Sequence, residues 1–162
     1  MKIQKNVSLK SCNTFGLEVI AAQFTEVSTA GELARLLENP DLKETPKFIL
    51  GGGSNILFTK DFNGLVIRNR ILGMETIREN ENFVWVRAGA GVVWHQFVMW
   101  CIDHGFAGLE NLSLIPGSVG AAPIQNIGAY GVEIKDTFYE LEAMHLNTGI
   151  VRKFSKDECG FG

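Results

Sequence analysis

Residues 111–132 carry no charged side chain. A run that long either crosses a bilayer, which takes roughly 20 apolar residues, or is sheltered by the rest of the fold. It contains Gly117, Gly120, Gly128 and Gly131, together with Asn111, Pro116, Pro123, Gln125 and Asn126. Lipid would leave so much backbone and amide polarity unsatisfied. The run therefore reads as a buried functional loop-and-turn region, and no membrane segment is expected. Glycine is the matching excess, at 18 of 162 residues against an average share of about 7%. With only 4 prolines and no fixed glycine period, the chain is neither collagen-like nor of low complexity. The glycines cluster at Gly51-Gly52-Gly53 and again between Gly117 and Gly131. Clustered glycine marks backbone brought close to something.

The bulk numbers mostly exclude. At 162 residues and 46% hydrophobic, the chain suits one ordinary domain or two small lobes and needs no disulfide or metal to fold. Net charge is −3. No basic cluster exceeds Arg68-x-Arg70 or Arg152-Lys153, so no nucleic-acid partner is expected. Cys12, Cys101 and Cys159 form no C-x-x-C. They read as reduced thiols of a cytosolic protein, not a disulfide framework or a zinc site. Met1 to Lys5 is basic, but Glu18 interrupts the best apolar stretch, Phe15 to Phe24, and no signal peptide is expected.

Periodicity and capping place the elements. Thr29-Ala30-Gly31-Glu32 is a capping-box pattern opening a helix that carries Leu33, Leu36 and Leu37 and ends at Asn39-Pro40. Lys47 to Leu50 reads as a strand running into the glycine triplet. Ile56-Leu57-Phe58 and Leu65-Val66-Ile67 read as further short strands. Phe83 to Arg87 is a strand after the turn Asn80-Glu81-Asn82. A helix spans Val92 to His104, with Val93, Phe97, Trp100 and Cys101 on its apolar face and Gly105 as its C-terminal cap. Thr137 to Leu146 reads as a strand, turned by Asn147-Thr148-Gly149 into Ile150 to Phe154. Ser155 to Glu158 is a second capping box. The chain stops four residues later, which predicts a fragment of a longer protein. The expected division is a first lobe over 1–70 and a second over 71–162.

Named phosphate motifs fail here. No Gly-Lys pair exists, so there is no P-loop, and neither Gly51-x-Gly53 nor Gly89-x-Gly91 has glycine at the third following position. What remains is Gly51, Gly52, Gly53, Ser54 and Asn55. Successive N–H groups on one concave side bind anionic oxygens without a charged side chain, a reading weighed against a plain tight turn. From Ala88 to Ile134 there is no Lys or Arg. A site there would offer backbone and amide hydrogen bonds to the flat edge of an isoalloxazine or nucleobase. Close helix packing is the competing explanation.

These segments carry a resemblance. Leu50 to Leu57, Gly108-Leu109-Glu110, and Ile115 to Gly131 closely resemble the bacterial UDP-N-acetylenolpyruvoylglucosamine reductase family. Asn13 to Gly16 and Lys156 to Gly162 match too. The resemblance implies an α+β fold, a two-lobed FAD-binding module of the vanillyl-alcohol oxidase (PCMH) type. It implies noncovalent FAD, with NADPH as the reductant. The substrate would be the enolpyruvyl ether of a UDP-sugar and the product UDP-N-acetylmuramate, for peptidoglycan synthesis and hence cell shape, division and the cell cycle. The residues it places at FAD are Gly51, Gly52, Gly53, Ser54 and Asn55 at the pyrophosphate. Along the rest of the cofactor it places Pro116, Gly117, Ser118, Gly120, Ala121, Gln125, Asn126, Gly128 and Tyr130. The family's catalytic arginine, serine and glutamate fall beyond Gly162, as does its substrate-binding domain. No catalytic residue is therefore expected in these residues, which should hold FAD without turnover. A cytoplasmic monomer is expected.

Other residues have plainer expectations. His95 and His104 share no metal site, and His104 complements a helix dipole. Tyr130 either meets the flavin or substrate or is a buried, hydrogen-bonded tyrosine. Arg68, Arg70 and Arg87 pair at the surface more readily than they reach phosphate. No His or Cys neighbours either glycine cluster in sequence, which argues against covalent flavin. The competing functions are another flavin oxidase on the same module and a non-enzymatic domain whose glycines only serve packing.

Overall fold

The computed structural model describes residues 2–162. The chain divides into two compact units, Met1–Ile71 with Leu146–Gly149, and Leu72–His145 with Ile150–Gly162.

The first unit is built on a four-stranded sheet in the order β1-β2-β4-β3. Its strands are β1 (Gln4–Ser8), β2 (Ile20–Val27), β3 (Lys47–Leu50) and β4 (Phe62–Asn69). β4 is central and parallel to both β2 and β3, while β1 is antiparallel to β2. Both faces of β4 are covered, which is why Leu65-Val66-Ile67 is continuously apolar and buried. Val66 joins Leu9, Ala21, Phe24 and Leu50 in one core cluster, and Leu65 and Ile67 join Val27, Leu36 and Leu42 in the other. Ala21 and Phe24 both lie in the first cluster although three residues apart. The register between β2 and β4 shifts between Ala21 and Gln23, and the extra residue is on β4, between Phe62 and Leu65.

Helix α1 (Ala30–Leu37) packs Leu36 into the second cluster. Thr29 caps it, its hydroxyl accepting from the Glu32 N–H at 3.1 Å. The Glu32 carboxylate reaches back to the Ser28 N–H at 2.6 Å. The reciprocal bond of the expected box thus falls one residue early. The expected strand Ile56-Leu57-Phe58 is not a strand. Both edges of β4 are already paired, and Ile56 and Phe58 pack against the first core cluster instead.

The second unit holds three two-stranded ribbons. They are β5 (Met74–Glu79) with β6 (Val84–Ala88), β7 (Gly128–Ala129) with β8 (Val132–Glu133), and β9 (Glu140–Met144) with β10 (Val151–Ser155). Its core cluster comprises Trp94, Val98, Leu112, Ala122, Ile127 and Ile134. Helix α2 (Trp94–Asp103) buries Trp94, Val98 and Cys101. The expected face began one residue early: Val93 is the extended N-cap and is 48% exposed. Gly105 caps α2 at φ +75°, with its N–H on the Ile102 carbonyl and the Phe106 N–H on that of Cys101. That pair of bonds is a Schellman ending. Thr137 ends the short helix α3 (Ile134–Thr137) and does not start the following strand. The second capping box forms fully. Ser155 and Glu158 exchange bonds at 3.0 and 3.3 Å over a single 3-10 turn. Among the described residues, no helix is long and apolar enough to cross a membrane.

Candidate functional site

In the first unit the glycine triplet follows β3 directly. Gly53 has φ +69°, and a Cβ there would lie 2.0 Å from the Cys12 carbonyl oxygen and 2.9 Å from the Asn13 Cα. Only glycine permits that approach. The contact is tied by the Thr14 N–H, which donates to the Gly53 carbonyl at 3.2 Å. Asn13 braces the other strand of this contact. Its buried side chain donates to Leu9 at 2.8 Å and Leu17 at 3.1 Å and accepts from the Leu17 N–H at 3.0 Å. Gly52 is the opposite case. It is exposed, and a Cβ there would meet nothing within 4 Å. Among the described residues, the N–H groups of Gly52, Gly53 and Ser54 donate to no acceptor. The loop is thus a fixed backbone with free donors beside open space. An anionic group fits this.

In the second unit, residues 112–120 are tied to residues 90–95. The Gly120 N–H donates to the Ala90 carbonyl at 3.0 Å and the Val119 N–H to that of Val92 at 2.9 Å. The Trp94 N–H donates to Gly117 at 3.0 Å, and its indole N–H donates to Leu112 at 2.7 Å. The His95 Nδ1 accepts from the Leu114 N–H at 3.2 Å. Gly120 permits this closeness, since a Cβ there would lie 2.6 Å from the Ala90 Cβ. Leu114 has φ +63° and Gly117 has φ +129°. For leucine the left-handed conformation costs about 1–2 kcal/mol, so other contacts must hold it. The N–H groups of Ile115, Gly117 and Ser118 donate to no acceptor among the described residues. Ser118 itself is buried, in an isolated bridge to Val93.

The remaining expected residues have varied settings. Pro116, Gly120, Ala121, Gln125 and Gly128 are exposed. Asn126, at φ +43°, spends its side chain inside the unit. Its amide nitrogen donates to the Glu133 carboxylate at 3.0 Å and to the Gly162 carbonyl at 3.2 Å, and its oxygen accepts from the Lys135 N–H at 3.3 Å. The Lys135 ammonium, then the Asn126 amide, hold the Glu133 carboxyl below its ordinary range. Asn126 is thus a brace. Tyr130 is 90% exposed with φ +54°, which overturns the buried, hydrogen-bonded alternative.

Several large apolar side chains within or beside the two segments are also exposed. Phe15 and Leu57 are each 64% exposed, Leu114 74% and Ile124 85%. Sequence reading did not single these out, because exposure is the signal and only the folded chain carries it.

The charged and nucleophilic groups are otherwise engaged. Arg68 pairs with Glu26 at 3.4 Å and Arg87 with Glu75 at 2.9 Å. The His104 Nδ1 lies 2.8 Å from the Trp100 carbonyl at the C-terminal end of α2. Cys12 and His95, remote in sequence from the glycine clusters, are their spatial neighbours. The Cys12 thiol is buried and takes a 3.7 Å contact from Arg68; its burial limits access to it. Burial, then the charge of Glu110, pushes the Cys101 thiol up to about 11. Among the described residues, no group of three or more His, Cys, Asp and Glu side chains could hold a metal ion.

A family model described as "FAD binding domain" matches residues 21–155. Proteins named UDP-N-acetylenolpyruvoylglucosamine reductase are similar nearly end to end. The one from Flavobacterium johnsoniae is 53% identical over 100% of this chain and 48% of its own length. That from Amoebophilus asiaticus is 52% identical over 99% of this chain and 48% of its own. The crystal structure of UDP-N-acetylenolpyruvylglucosamine reductase from Thermus caldophilus superposes with a TM-score of 0.76 at 29% identity. That match covers all of this chain and 55% of the other. The chain spans about half the length of the relatives it matches.

Proposed function

We propose, because this chain belongs to the FAD binding domain family, that it is the cofactor-holding portion of a UDP-N-acetylenolpyruvoylglucosamine reductase. Its fold is α+β, of the vanillyl-alcohol oxidase (PCMH) type, and its cofactor is FAD. The observation that carries the finer reading is end-to-end similarity to reductases of that name across both glycine segments. Bound FAD supplies the hydride chemistry between NADPH and the enolpyruvyl double bond of the UDP-sugar. Residues 1–70 and 71–162 are assigned as the two lobes of the module. The reading makes the protein a cytoplasmic monomer of cell-wall precursor synthesis, without nucleic-acid or membrane partners.

The chain's own residues bind and orient. The open N–H groups of Gly52, Gly53 and Ser54, with Gly51 and Asn55 flanking them, receive the pyrophosphate oxygens. The open N–H groups of Ile115, Gly117 and Ser118 take further acceptor atoms of the cofactor, and Pro116, Gly120, Ala121, Gln125, Gly128 and Tyr130 line it. Asn126 contributes by holding Glu133 and Lys135 in place. Gly52 is exposed with open space where a Cβ would lie, so the loop's N–H groups are accessible to a cofactor. No arginine or lysine is needed, because free amides in a sheltered loop stabilise negative oxygen. The flavin stays noncovalent, since the Cys12 thiol is buried.

The test is FAD titration of the protein at its natural length, followed by acid precipitation and an NADPH oxidation assay with the enolpyruvyl substrate. Expected are saturable binding, yellow colour left in the supernatant and substrate-dependent oxidation. Colour in the pellet would remove the noncovalent reading. Tight FAD binding without that oxidation would move the protein to another flavin enzyme on the same module.

A further inference from the structure

We propose that His95 is a positioning residue, the side chain that holds the 113–118 turn in its FAD-receiving shape by accepting the N–H of Leu114. The inference rests on the reading of that segment as a cofactor loop.

Four of the five ties between residues 90–95 and 112–120 use backbone groups or the buried Trp94 indole. They anchor the two ends of the turn, at Leu112 and at Gly117 to Gly120. Between those anchors, Ser113 is bonded back to Glu110 at 3.1 Å, and among the described residues the one tie to residues 90–95 is the 3.2 Å bond from Leu114 to the His95 Nδ1. It falls on a leucine held at φ +63° with its side chain 74% exposed. No burial of that side chain repays the strained backbone, which is held from one side by Ile115 packed against the core cluster and from the other by the His95 bond. Pro116 has no N–H. Drawing the Leu114 N–H onto His95 fixes the turn in which Ile115 and Gly117 keep undonated N–H groups among the described residues. The role requires an unprotonated Nδ1, hence the neutral ring with its proton on Nε2. It does not require an imidazole as such. Asparagine places an acceptor oxygen on the same Cγ, whereas leucine keeps bulk and loses the acceptor.

The experiment uses the protein at its natural length, with and without FAD. In the apoprotein, His95→Leu is expected to speed amide exchange at Leu114 about 10-fold at an unchanged melting temperature. It is expected to raise the FAD dissociation constant, read by flavin fluorescence quenching, about 10-fold. His95→Asn is expected to return both within about 3-fold of the original protein, a rescue that loss of ring packing would not allow. Unchanged Leu114 exchange in His95→Leu overturns the proposal, as does failure of His95→Asn to rescue. If His95→Leu does not fold, His95→Asn decides alone: original behaviour supports the proposal and weakened binding overturns it. Gly117→Val separates this inference from its premise. If Gly117→Val binds FAD as tightly as the original protein, the cofactor-loop reading falls and this inference with it. If Gly117→Val loses FAD and His95→Leu does not, only the present inference falls.

Discussion

Gly53 touches the backbone of Cys12 and Asn13 so closely that a single methyl group would overlap a carbonyl oxygen. Gly120 is less tightly approached, its nearest neighbour being the Cβ of Ala90 at 2.6 Å, and a row of hydrogen bonds aligns the two segments. The 51–55 loop of the first unit is held by backbone-to-backbone contact and by the bond from the Thr14 N–H to the Gly53 carbonyl. The 112–120 segment of the second is held by a row of ties to residues 90–95. Both leave a set of amides undonated among the described residues; the second lies in a run without Lys or Arg, whereas the first has Arg68 nearby, bonded to Cys12. Equal glycines in a sequence thus have unequal roles. Some admit a neighbouring backbone, and others, such as Gly52, leave space for a ligand.

That contrast yields a graded set of expectations. Gly53→Ala should cost about 3 kcal/mol in urea unfolding, combining a left-handed alanine with overpacking. No change to the Cys12 side chain should rescue it, because the clash is with backbone. A rescue would break the distinction drawn between the two loops. Gly120→Ala should cost about 2 kcal/mol, and here Ala90→Gly should recover part of the loss in a double-mutant cycle. Strict additivity of the two changes would show that the pair does not interact.

Gly52→Ala should leave stability within about 0.5 kcal/mol while weakening FAD about 10-fold, or about 1.4 kcal/mol. Destabilisation without loss of affinity would reverse the roles assigned to Gly52 and Gly53. The smallest effect concerns Cys101. With its pKa pushed up to about 11, the thiol is protonated throughout the neutral range. At pH 8 only about one thiol in a thousand is thiolate. Alkylation there should be slow, and should quicken as pH rises towards 11 and in Gly120→Ala. Rapid labelling of the folded protein at pH 8 would contradict the burial.

Much of the fold was legible because it is written in local chemistry. The Thr29 and Ser155 caps, the Gly105 ending of α2 and the turn before β10 each need only a few neighbouring residues to form. The buried run Leu65-Val66-Ile67 announced a strand covered on both faces. Misreadings arose where a distant partner decided. Ile56 to Phe58 has strand-like residues, but Ile56 and Phe58 pack against the first core cluster instead of pairing with the sheet. Thr137 looked like the start of a strand until the Glu133 and Asp136 cap drew it into α3. The apolar face of α2 slipped by one because Val93 is the cap.

The candidate site divides in the same way. Glycine clustering and the absence of charge from 111 to 132 already implied backbone recognition of a sheltered ligand. Those properties are one-dimensional and survive in any conformation. Which amides stay free, that Asn126 braces Glu133, that Tyr130 stands 90% exposed and that His95 meets Leu114 are decided by pairings between residues far apart in the chain. A hydrogen bond or a clash needs two partners at a set distance. Composition names the candidates for that meeting, and only the tertiary structure brings them together.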